Sequence, residues 1–182
     1  MQVVVIGAGI VGLACAEELA RRRHDVIVLE RHARIAEETS SRNSGVIHAG
    51  LYYPPGSLKA RLCVEGRTLL YERCARLGIG HRKTGKLVVA TSRDEVTRLE
   101  ALYALGRENG AGALELIDGA EVRRREPRVH AVAALYSPET GIVDAHELAQ
   151  SYRAEAEQHG AVVVLNTEVM ALERRGGATQ IA

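Results

Sequence analysis

Residues 2–30 run strand, glycine turn, helix, strand without a break, and few folds accommodate that unit. Gln2–Ile6 (QVVVI) is a short β-branched run of the kind that forms a buried strand. Gly7-Ala8-Gly9-Ile10-Val11-Gly12 follows at once, and Leu13–Arg23 then reads as a helix carrying the small residues Ala14, Ala16 and Ala20. Asp25–Glu30 (DVIVLE) is a second buried strand that ends in an acid. Gly7 permits the tight turn, Gly9 lets the backbone approach a pyrophosphate, and Gly12 lets the helix pack closely on the strand. The free N–H groups and positive dipole end of the helix then suit phosphate groups. A carboxylate at Glu30 suits ribose hydroxyls and repels a 2′-phosphate. A turn that merely packed a helix on a sheet would not call for an acid at residue 30. The unit therefore points to dinucleotide binding.

The remaining pattern supports an α/β chain in two parts. Residues 31–56 lack regular periodicity and are rich in Ser, Gly, Asn and Pro, and a loop of that length inside a domain is usually functional. Ser57 reads as the cap of a helix over 58–77 with Leu58, Leu62, Leu69, Leu70 and Leu77 expected to face inward. Gly85–Thr91 is an expected strand, and Ser92 with Glu95 an expected capping box for a helix to about Asn109. Short strands at 114–117, 132–136 and 141–143 surround a brief helix capped by Asp118 and Glu121. Asp144 caps the next helix, and Ala161–Leu165 is another buried strand. The expected domains are 1–80 with 144–182 for the dinucleotide, and 81–143 as part of an inserted α+β substrate domain. Glu168–Leu172 reads as a strand and Arg174–Gly177 as a hairpin turn whose return arm is cut short, so the chain is expected to be a fragment.

Composition narrows the function classes. A net charge of +1 gives no ground for nucleic acid binding. The 3 cysteines, Cys15, Cys63 and Cys74, are odd in number and have no metal-site spacing. They read as reduced helix thiols of a reducing compartment, which points to the cytoplasm. No metal is expected. The N-terminus carries Glu17 and Glu18 and has no signal-peptide pattern, and no apolar run is long enough to span a bilayer.

Four segments carry a resemblance: Asn43–Ala60 (NSGVIHAGLYYPPGSLKA), Leu62–Gly66 (LCVEG), Thr84–Ala90 (TGKLVVA) and Thr140–Ala149 (TGIVDAHELA). With the opening turn, they make the chain resemble the glycine-oxidase and amino-acid-oxidase group of FAD-dependent oxidoreductases, and within it the L-2-hydroxyglutarate dehydrogenases and oxidases. The resemblance implies a Rossmann-like FAD-binding domain, FAD as cofactor, oxidation of a 2-hydroxy dicarboxylate, and electron delivery to a quinone or to oxygen. It maps the pyrophosphate turn onto Gly7, Gly9 and Gly12 and the ribose acid onto Glu30, with Arg31 beside it. It assigns Thr39, Ser40, Asn43, Ser44 and Gly45 to the phosphate and flavin side. His48 falls where the chain approaches the flavin ring. Family members are substantially longer, so the rest of the substrate domain and further cofactor contacts are expected outside these residues.

The chemistry asks for a base and for cations. His48 lies between Gly45 and Gly50 in the long loop and is the leading general-base candidate, against the plainer role of packing on the flavin. Arg42, Lys59 and Lys86 are candidates for substrate carboxylates, and Tyr52 and Tyr53 for walling the flavin or donating to a carboxylate. Each cation has the competing reading of a solvated surface charge. Two other functions stay open: an amine or amino-acid oxidase of glycine- or sarcosine-oxidase type, and a non-catalytic dinucleotide-binding fragment. A quinone acceptor would imply peripheral contact with the inner face of a membrane, though no amphipathic anchor stands out.

Overall fold

The computed structural model describes residues 1–176 and 178–182. The chain divides into two compact units, Met1–Ser44 with Asp144–Ala182, and Gly45–Val143. Residues 45–80, grouped in sequence with the dinucleotide part, pack with the second unit.

The first unit begins with β1 (Gln2–Ile6), α1 (Ile10–Arg21) and β2 (Asp25–Leu29), and ends with α5 (Ala145–Gln158), β9 (Val162–Val164) and the hairpin strands β10 (Leu172–Arg175) and β11 (Ala178–Ile181). Strands β1, β2 and β9 form a parallel sheet in the order β1-β2-β9, as expected of a βαβ unit. Val26 and Val28 are buried against the core made by Leu13, Ala16 and Ala20 of α1 with Ala149 and Ala156 of α5. Alanines on both helices let their backbones approach closely, and the small side chains found in sequence serve that packing. Strand alternation puts the other apolar residues on the opposite sheet face. There, register aligns Val4 with Ile27 and Val162, and Ile6 with Leu29 and Val164, and Ile6, Val162 and Val164 are exposed. The continuous apolar strands are thus covered on one face within this unit.

The second unit holds β3 (Val46–Ile47), α2 (Leu58–Leu77), β4 (His81–Arg82), β5 (Lys86–Ala90), α3 (Val96–Glu108), β6 (Glu115–Asp118), α4 (Gly119–Arg125), β7 (Ala133–Ser137) and β8 (Gly141–Val143). Two antiparallel sheets result, β3-β8-β4 and β5-β7-β6. Leu51, Ala90, Leu99, Ala111, Leu114 and Leu135 form its core.

Several local expectations are met and others corrected. Ser57 Oγ accepts the Ala60 N–H, Asp118 the Glu121 N–H, and Asp144 the His146 and Glu147 N–H groups. The capping box at Ser92 does not form as drawn. Glu95 instead accepts the backbone N–H and hydroxyl of Thr91, and Ser92 caps nothing with its side chain. The inward face of α2 is also different. Ala60, Arg73 and Cys74 are buried, whereas Leu58, Leu62, Leu69 and Leu77 are exposed. Two apolar stripes coexist on this helix, and periodicity alone cannot choose between them. The hairpin strand begins at Leu172 rather than at Glu168, and Gly177 of the expected turn lies outside the described residues.

Helix ends carry a consistent signature. After α2, α3 and α5 the chain turns at Gly78, Gly110 and Gly160, each left-handed, with φ of +69°, +76° and +92°. The amide beyond each glycine bonds back to Cys74 O, Gly106 O and Ala156 O. Helix α1 uses the same motif: Arg23 N–H donates to Ala20 O and His24 N–H to Leu19 O, yet the left-handed residue is Arg23, with φ +64°. An L side chain there is strained. Arg23→Gly is therefore expected to stabilise the fold by about 0.5–1 kcal/mol, the steric relief less the entropy glycine loses. Urea denaturation at unchanged m-value reads it. Gly12→Ala has the opposite sign, because a Cβ there would stand 2.1 Å from Gly7 O. We expect a loss of about 1–3 kcal/mol in the same assay.

Candidate functional site

The carboxyl ends of β1, β2 and the segment after β9 frame a cleft in the first unit, lined by Gly7, Gly9, Glu30, Arg31, Glu38, Thr167, Glu168 and Val169. That is where the ends of a parallel sheet bind ligands. Gly7 takes φ +97°, which turns the chain from β1 into α1. The helix begins with Leu13 N–H on Gly9 O, so the N–H groups of Val11 and Gly12 have no partner within the helix. Ser40 Oγ, folded over from the loop, accepts the Ile10 N–H at 3.1 Å.

Glu30 is buried, 7% exposed, and its carboxylate is already held. Oε2 accepts the Ala8 N–H at 2.7 Å and Oε1 the His32 N–H at 2.9 Å. A carboxylate offers about four acceptor positions, so roughly two stay open for hydroxyl groups. Arg31 donates to Glu38 Oε1 at 2.7 Å, and His32 Nε2 shares that oxygen at 2.9 Å. Those donors hold Glu38 below the usual carboxylate range, Arg31 being the larger cause. Free amides at a helix start beside a fixed, partly open carboxylate fit the phosphates and ribose of a dinucleotide.

Not every residue expected at this cofactor site gathers here. Thr39, Asn43 and Ser44 are exposed on the loop after Glu38. Gly45 belongs to the second unit, where its carbonyl accepts the Val143 N–H at 2.8 Å. Arg42 lines a different cleft of the first unit with His32, Arg34, His146 and Arg153. Thr167, Glu168 and Val169 were not anticipated. Their signal was topological, since they follow the strand that completes the parallel sheet.

In the second unit the structure gathers the other candidates. Asn109 Nδ2 donates to Gly50 O and Tyr53 O, at 3.0 and 2.8 Å, and fixes the loop that carries Tyr52 and Tyr53. The Lys59 ammonium lies over the Tyr53 ring at 4.6 Å from its centroid, and the Lys86 ammonium over Tyr52 at 4.7 Å. His48, exposed at the end of β3, accepts a bond at its carbonyl from the Cys63 thiol at 3.4 Å. Partial burial, then Lys86, then Lys59 depress the His48 pKa below the ordinary imidazole value. The ring is therefore neutral at pH 7 and has a lone pair able to accept a proton. Among the described residues, no group of His, Cys, Asp and Glu could hold a metal ion, and no helix is long and apolar enough to cross a membrane.

The chain matches the family of FAD dependent oxidoreductases (DAO) over residues 2–182. It is 51% identical over 143 residues to the mitochondrial L-2-hydroxyglutarate dehydrogenase of Arabidopsis thaliana, a match covering 79% of this chain and 30% of that protein. The human mitochondrial L-2-hydroxyglutarate dehydrogenase is 43% identical over 173 residues, 94% of this chain and 37% of its own length. Among solved structures, dithionite-reduced L-alpha-glycerophosphate oxidase from Mycoplasma pneumoniae with FAD bound superposes with a TM-score of 0.92 at 28% identity, covering 99% of this chain and 48% of that one. Glycine oxidase from Geobacillus kaustophilus superposes at 0.86 with 27% identity, over 98% of this chain and 50% of that one. The chain thus spans about a third of the length of these curated relatives and about half of the solved chains. With its glycine turn, its fixed Glu30 and a match over almost every residue, the chain belongs to the FAD dependent oxidoreductase family.

Proposed function

We propose that this chain is the FAD-holding part of a dehydrogenase or oxidase that converts L-2-hydroxyglutarate to 2-oxoglutarate. The observation that carries the reading is the cleft in which Glu30 keeps open acceptor positions beside the free amides of α1. The choice of substrate is supported by the identity of 51% and 43% to two L-2-hydroxyglutarate dehydrogenases. In functional terms we assign residues 1–44 and 144–182 to FAD binding and 45–143, which carry His48, Lys59 and Lys86, to the substrate side. Quinone or oxygen would take the electrons, a quinone at a membrane surface.

Oxidising a secondary alcohol removes a hydride from carbon and a proton from the hydroxyl. Bound FAD supplies the hydride acceptor. Glu30 would hold ribose hydroxyls, and the amides of Val11 and Gly12 would hold the phosphates. Neutral His48 would take the hydroxyl proton at a ring nitrogen, and the cations beside it keep that nitrogen unprotonated until it is needed. A glycine- or sarcosine-oxidase type of activity is the second reading, supported by the likeness to glycine oxidase.

The test is an anaerobic titration of the FAD-reconstituted chain, followed in the visible flavin band. Bleaching by L-2-hydroxyglutarate supports the proposal. Bleaching by glycine or sarcosine instead favours the second reading, and failure to hold FAD favours a non-catalytic fragment. Glu30→Gln is expected to destabilise the apo-chain by about 1–3 kcal/mol, because one buried N–H loses its acceptor. Its FAD affinity, from flavin fluorescence quenching, should fall by about tenfold. At low substrate, where the rate reports the free chain, bleaching should be flat with pH through neutrality and fall only below the imidazole value of about 6.5, since the unprotonated ring is the reactive form. His48→Gln should abolish that acid limb.

A further inference from the structure

The cluster around His48 is cationic and lacks a balancing acid. Lys59 sits in the first turn of α2, after the Ser57 cap, where the helix dipole disfavours a positive charge. Lys86 opens β5. Among the described residues neither ammonium forms an ion pair. Both lie close enough to His48 to oppose its protonation, and no carboxylate contributes at that ring. The Cys63 thiol that donates to His48 O is pushed up by burial and stays protonated, and a further cation, Arg67, donates to the neighbouring Ala49 O. The two tyrosine faces hold the two ammonium groups in place while leaving their N–H donors free. Two ammonium groups close to one imidazole, each stacked on a tyrosine of the loop pinned by Asn109, offer two positive contacts to an anion.

We infer that Lys59 and Lys86, each laid on a tyrosine face, receive the two carboxylates of a dicarboxylic 2-hydroxy acid and set the selectivity for diacids over monoacids. This rests on the 2-hydroxy-acid reading above and assigns that reading its specificity-determining residues. Each ammonium makes a charge-assisted contact that a monoacid can satisfy at only one end. Occupation by a diacid neutralises both cations, so His48 becomes easier to protonate in the complex than in the free chain.

The experiment is a histidine NMR titration of the whole chain without FAD, alone, with glutarate and with butyrate. Glutarate should raise the His48 pKa and bind about tenfold or more tightly than butyrate, the worth of one additional charge-assisted contact. Lys59→Gln and Lys86→Gln should each raise the His48 pKa of the free chain and reduce the preference for glutarate to near unity. Lys86→Arg should keep both properties. Equal effects of glutarate and butyrate on wild-type protein would overturn the inference, and that comparison needs no variant. So would a His48 titration unmoved by both Gln substitutions in chains that retain the wild-type amide spectrum. Because FAD is absent, the outcome separates from the function test: flavin bleached by L-2-hydroxyglutarate with a His48 that ignores glutarate would sink this assignment alone. Glutarate binding with no flavin reduction would sink the enzymatic reading alone.

Discussion

Glu30, through its carboxylate and its backbone, ties the glycine turn and the end of β2 to the segment after β9. Its oxygens accept N–H groups from Ala8 in the glycine turn and His32 in the loop. Its own backbone N–H donates to Val164 O, and its carbonyl accepts the Thr167 N–H. A buried amide without an acceptor is costly, so Ala8 and His32 depend on this acid whether or not a nucleotide is present. The cleft is consequently shaped before binding. A ligand need not order the turn, and less of its interaction energy goes into arranging the protein.

The two units separate two electrostatic tasks. The first unit surrounds its cleft with Glu30 and Glu38, and the nearby Arg31 is tied to Glu38. That balance suits hydroxyl groups, which donate to carboxylates, and opposes an additional phosphate on the ribose. The second unit brings Lys59 and Lys86 close to the His48 imidazole, and both cations oppose its protonation. That balance is cationic where the first is acidic. A residue-by-residue charge count hides this division, because the whole chain carries a net charge of only +1.

Legibility in the sequence followed the range of the forces involved. The glycine turn, α1, β2 and the caps at Ser57, Asp118 and Asp144 are local, and residues within a few positions of one another decide them. The inward face of α2 was misjudged because Leu58, Leu62 and Leu69 form as good a stripe as the residues that are buried, and only the partner surface selects between the two. Thr167–Val169 escaped notice for a related reason: they carry no motif, and only strand order brings them to the cleft. Around His48 the residue types were legible but their pairing was not, since the stacking of Lys59 on Tyr53 and Lys86 on Tyr52 needs the loop conformation fixed by Asn109.

Departures from local preference mark the same places. Among the described residues, three other than glycine adopt left-handed backbone: Arg23, Ala36 and Asn166. Arg23 ends a helix and has a purely structural account. Ala36 and Asn166 instead belong to the segments that frame the Glu30 cleft. Ala36 N–H donates to Ala8 O at 3.0 Å, and Asn166 N–H to His32 O at 3.0 Å, just before Thr167. Asparagine tolerates that conformation through its short polar side chain, whereas alanine gains nothing locally and is held there by its hydrogen bond and its burial. Lys59 breaks a different rule, standing as a cation at the positive end of α2. For Ala36 the local cost is offset by something the neighbouring sequence does not supply, closure of the loop over the glycine turn. A chain that accepts such a cost beside a cleft gives up local preference for the shape of the site.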